Sequence, residues 1–64
     1  MSEQEMVKRD IDTLKESIAR DWSDLQNLTL TKEEAAGIRE HIRLCESDLK
    51  KLRERLDRLP KNSN

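Results

Sequence analysis

From Ala35 to Leu59, apolar side chains recur at alternating intervals of three and four residues without a break: Ala35, Ile38, Ile42, Cys45, Leu49, Leu52, Leu56 and Leu59. In an α-helix this spacing puts all of them on one narrow stripe, and a second helix laid alongside is what keeps such a stripe out of water. A strand would need alternation every second residue, which the segment lacks. Composition points the same way. Charged residues make up 42% of the 64-residue chain and aromatics 2%, with one glycine and one proline. So many charges exclude a thick globular core, and so few turn formers exclude a β-rich fold. The expected fold class is all-α.

The N-terminal half supplies a second seam. Ser2-Glu3-Gln4-Glu5 is a capping box, in which the Ser2 hydroxyl and the Glu5 carboxylate each satisfy the other residue's free amide. Val7, Ile11, Leu14, Ile18, Leu25 and Leu28 then follow on the heptad grid. A second capping box, Thr31-Lys32-Glu33-Glu34, marks a new helix start, with Leu30 and Ala35 as a weak hydrophobic staple. The first helix must therefore end before it. Asn27-Leu28-Thr29-Leu30-Thr31 is the natural break, since Asn and Thr favour local backbone bonding over helix. The expectation is one helical-hairpin domain over residues 1–59. Helix 1 covers about 3–28, the turn about 29–31 and helix 2 about 32–59, with a flexible C-terminal tail at 60–64 after Pro60. Helices of this length run about 40 Å, and so short a connection folds them back antiparallel and coiled-coil-like.

Folding at the turn sets Leu28 against Ala35, Leu25 against Ile38, Ile18 against Cys45, Leu14 against Leu49, Ile11 against Leu52 and Val7 against Leu56. The flanking charges then suggest Asp10 near Arg55, Asp24 near His41 and Lys15 near Glu46, while Lys8 beside Arg53 dissents. One layer breaks the pattern: Asp21 falls on the seam opposite Ile42. A buried, unpaired carboxylate is costly, so Asp21 is expected to rotate aside or find water or a cation. Trp22 is then expected to fill the gap, with Arg39 near its ring face.

Two helices bury one stripe each, and chains below about 70–80 residues rarely gain more than roughly 3–5 kcal/mol from such a core. Dimerisation into a four-helix bundle is the expected remedy. The architecture is similar to that of the Rop family of plasmid copy-number regulators, hairpins of comparable length that dimerise through core layers. The resemblance is one of shape, with no shared motif. It does not bring RNA binding with it, because the outer face of helix 1 presents Glu5, Asp12 and Glu16 among Arg9 and Arg20 and no aromatic platform.

Little in the chain suggests catalysis. One glycine builds neither a phosphate-cradling loop nor a nucleophile elbow. His41 and Cys45 stand one helical turn apart, but the seam already explains Cys45 as a small apolar residue. No enzyme activity, cofactor or metal is expected. Thirteen basic and fourteen acidic residues leave a net charge of −1, so no global attraction to nucleic acid or anionic membrane follows. No apolar run is long enough for a membrane span, and a lone cysteine suits a reducing, cytoplasmic setting.

Two functional expectations remain. The leading one is a small helical module that binds another protein as adaptor, inhibitor or regulatory subunit, and that also forms homodimers. Its candidate contact residues are Trp22, Leu30, Gly37, Arg39 and Leu44, which gather an aromatic anchor, off-seam leucines and a patch poor in side chains. The alternative is a nucleic-acid-binding regulator. It would use Lys8, Arg9, Lys50, Lys51, Arg55, Arg58 and Lys61, cations that cluster where the end of helix 2 meets the start of helix 1.

Overall fold

The computed structural model describes residues 2–60. Two helices, α1 (Glu3–Leu25) and α2 (Lys32–Arg58), fold back on each other in antiparallel fashion, and there is no strand among the described residues. The result is a rod of 51 × 16 × 13 Å with a radius of gyration of 15.1 Å. A compact chain of this length would have a radius near 11 Å. None of the helices among the described residues is long and apolar enough to cross a membrane.

Both helix starts form as their sequences dictate. The Ser2 hydroxyl accepts a hydrogen bond from the Glu5 amide at 3.1 Å, and the Glu5 carboxylate accepts one from the Ser2 N–H at 3.1 Å. Thr31 and Glu34 repeat the exchange at 3.0 and 2.9 Å. Acidic residues in both first turns, and Arg55 and Arg58 in the last turn of α2, match the charge at each helix end. α2 ends at Arg58 because Leu59 precedes Pro60. The proline ring pushes its neighbour into extended backbone, and Leu59 takes φ −70° and ψ 148°.

The other end of the hairpin differs from expectation. α1 stops at Leu25, three residues short of the anticipated Leu28. The competing force is Asn27, whose side-chain oxygen accepts from both the Thr29 amide (3.0 Å) and the Thr29 hydroxyl (2.8 Å). This local turn replaces another turn of helix. Short-range bonds from the Gln26 and Asn27 amides to Ser23 and Asp24 satisfy the last carbonyls. The layer Leu28–Ala35 does not form, for Leu28 stands 99% exposed at the tip. Leu30 instead turns back and is half-buried.

The core is thin. Val7, Ile42, Cys45 and Leu49 are buried, whereas Ile11, Leu14, Ile18, Leu25, Ile38, Leu52 and Leu56 are only half-buried. The accessible surface is 5294 Å², against about 4,300 Å² for a compact monomer of this mass. Gly37 lies inside α2 with ordinary backbone angles, and a Cβ built there meets nothing within 4 Å. Gly37→Ala is therefore expected to stabilise the hairpin by about 1 kcal/mol through helix propensity alone. A thermal melt of the variant checks this; a lowered midpoint would mean that a helix from another molecule needs the space.

Candidate functional site

Asp21 resolves its misplacement by turning to one side of the seam. Its carboxylate pairs with Nδ1 of His41 on α2, and its side chain is 16% exposed against 54% for the histidine. His41 thus takes Asp21 rather than the anticipated Asp24. Arg55 likewise pairs with Glu3 in the first turn of α1 rather than with Asp10. The Cys45 sulfur lies 3.6 Å from Nε2 and 3.9 Å from Nδ1 of the same histidine. Both separations put the thiol in contact with the imidazole one helical turn before it. Among the described residues no three potential ligands gather into a metal site.

The two cross-helix ion pairs identify one broad face of the rod. At about 100° per residue, the positions flanking the seam on that face are Glu3, Asp10 and Asp24 in α1 and Glu34, His41, Asp48 and Arg55 in α2. Apart from His41 and Arg55, every charged member is acidic. The opposite face carries Lys8, Lys15 and Trp22 from α1 and Lys32, Arg39, Glu46 and Arg53 from α2. There, Glu46 alone is acidic. At the positions flanking the seam, charge is thus divided between the two faces of the rod, although Lys51 and Arg58 stand one position further out on the acidic side.

The acidic face also holds an open groove of about 450 Å³. Leu14 and Leu52 form its floor, and Asp10, Thr13, Asp48 and Lys51 form its rim. The floor is accessible because both leucines are only half-buried. On the opposite face Trp22 remains 51% exposed and does not close the seam as anticipated. Asp21, its neighbour, has swung toward His41, which leaves the indole at the flank instead of over the gap.

The candidate contact residues do not form one patch. Trp22 and Arg39 share the basic face, whereas Gly37 and Leu44 fall in line with Lys51 on the acidic side of α2. Leu44 is 51% exposed, and Leu30 sits in the turn. The candidate phosphate-binding residues also spread around the rod. Lys8 and Lys50 lie toward the basic side, Arg9 on the outer edge of α1, Lys51 at the groove and Arg58 in line with Lys51. Arg55 is engaged by Glu3. Lys61, with the rest of the tail after Pro60, lies outside the described residues. Arg43 is also engaged, through a 3.1 Å hydrogen bond from Nε to Glu40 on the outer surface. Its guanidinium holds the Glu40 carboxyl below the usual carboxylate range.

Reading the chain for one apolar stripe overlooked the groove and the division of charge. The available signal was the sign of charge at the two positions flanking each seam residue, read as two separate rows rather than as one solvated surround. Comparison with protein-family models, with curated proteins and with solved structures found no match to this chain.

Proposed function

We propose that this chain is a non-enzymatic helical interaction module, acting as an adaptor, inhibitor or regulatory subunit, and that self-association into a four-helix arrangement belongs to that role. The observation that carries the reading is Trp22, half-exposed on a face whose flanking charges are almost all cationic. A tryptophan presented to solvent by a small rod is the kind of anchor that protein interfaces bury, and cations around it select an acidic partner surface. The partly wet seam supports self-association, because a single thin core leaves apolar area that another surface can cover.

The test is affinity capture by the whole chain followed by reconstitution with the purified partner. Trp22→Ala is expected to weaken that complex at least tenfold while circular dichroism shows unchanged helicity, which corresponds to about 1.4 kcal/mol or more. A complex equally tight with Trp22→Ala and Leu44→Ala contradicts the reading.

The same cationic row supports a second reading, a nucleic-acid-binding regulator, since cations beside an aromatic ring serve backbone contact and base stacking. Lys8 and Lys50 carry over to it, whereas the Glu3 pairing removes Arg55. Retention on RNA or DNA at about 50 mM salt that falls steeply by about 200 mM favours this alternative. Absence of retention at the lower salt ends it.

A further inference from the structure

We infer that copies of this chain stack through unlike faces, with Trp22 of one copy seated in the Leu14–Leu52 groove of the next. The inference rests on the self-association in the reading above, specifies which surfaces meet, and replaces closure at four helices with an open stack. Three observations carry it. The groove has an apolar floor and a rim on which Asp10 and Asp48 outnumber the one cation, Lys51. Trp22 is half-exposed and flanked on its own face by Lys15 and Arg39. Each broad face measures about 51 by 16 Å, so copies offset by about 15 Å to seat the indole still overlap over roughly 600 Å² each, the low end for a specific interface.

Charge decides between the two ways of stacking. A twofold dimer brings like faces together, setting Asp10, Asp24 and Asp48 against their own copies, or Lys8, Lys15 and Arg39 against theirs. Stacking unlike faces sets the acidic row against the basic one. It also gives the indole an apolar floor, where an aromatic side chain buries about 150–250 Å² in all. Trp22 and the groove are on opposite faces and about 15 Å apart along α1. Two copies therefore cannot insert reciprocally, and each bound copy still offers a free groove or a free indole. The contact is heterologous and does not close at two chains.

Sedimentation equilibrium of the full chain under reducing conditions tests this. At about 50 mM salt the mass is expected to climb past two chains as concentration rises. At about 1 M salt, where the Debye length is about 3 Å, it returns toward one chain. Trp22→Ala and the double variant Asp10→Lys/Asp48→Lys are each expected to remain single chains. Mixed in equal amounts they form a pair and nothing larger, because one supplies the intact groove and the other the intact indole. If Trp22→Ala loses helicity, Trp22→Gln, which also lacks the indole and is a good helix former, takes its place in the mixture.

A wild-type mass that stops at two chains regardless of salt overturns the inference in favour of a twofold dimer. A wild type that stays a single chain, or a mixture that fails to pair, also overturns it. Those results leave the capture of a foreign partner to its own test. Loss of that capture alone leaves the stacking intact.

Discussion

Leu49→Ala is expected to unfold the isolated hairpin at 25 °C. Leu49 is one of the few buried residues, 9% exposed, and it sits well inside α2, away from both ends. Truncating a buried leucine costs about 2–5 kcal/mol in transfer and cavity terms. A two-helix core of this size provides roughly 3–5 kcal/mol in total. The loss therefore matches the whole stability, and the helical signal in circular dichroism should collapse without a cooperative melt. Leu28→Ala provides the contrast. Both leucines lie on the heptad grid, but Leu28 is 99% exposed, and its truncation is expected to change stability by no more than about 0.5 kcal/mol. Equal effects of the two substitutions would mean that the seam does not pack as described.

The second large effect has the opposite sign. Asp21→Leu is expected to stabilise the hairpin by about 1–3 kcal/mol, because it restores an apolar residue to a seam position with little exposure. The interaction it removes is a pair whose histidine is more than half exposed, and pairs of that kind contribute about 0–1 kcal/mol. For a chain of this size each kcal/mol raises the melting midpoint by about 4–8 °C. His41→Ala should lower stability slightly in the wild type and leave the Asp21→Leu variant unchanged, since only the former contains the pair. A fall in stability on Asp21→Leu would show that the ion pair outweighs apolar burial at this layer. A stabilised variant that forms new oligomers would instead give Asp21 the role of a polar layer fixing the choice of partner.

Much of this fold was legible in the residues because local and global signals agree. The Thr31–Glu34 box falls where the second seam begins, and Pro60 falls where it ends, so α2 could be bounded within a residue. The end of α1 was harder. Leu28 continues the heptad grid, and only the Asn27–Thr29 bonding decides that the helix stops before it. Heptad spacing records which residues could share a stripe, while a side-chain bond decides whether the backbone stays helical.

The candidate site was less legible for a related reason. Trp22 and Leu44 looked alike as apolar residues left off the seam. Their difference is angular: they flank it on opposite sides, and the Asp21–His41 pair shows which face is which. Asp24 and Asp21 were both within plausible reach of His41. The choice fell to Asp21 because a carboxylate excluded from the seam gains most from a polar partner.

The most direct test is a distance between spin labels placed at Glu3 and Arg55, with Cys45 replaced by alanine and labelled chains diluted in unlabelled ones. These side chains pair across the two helices in the hairpin, so the labels should give one narrow distribution within about 20 Å, a few helix diameters at most. A chain whose helix ran straight through the turn would instead separate them by roughly 80 Å at 1.5 Å per residue. A long distance, or a short one that disappears on dilution with unlabelled chain, would contradict an internal antiparallel seam.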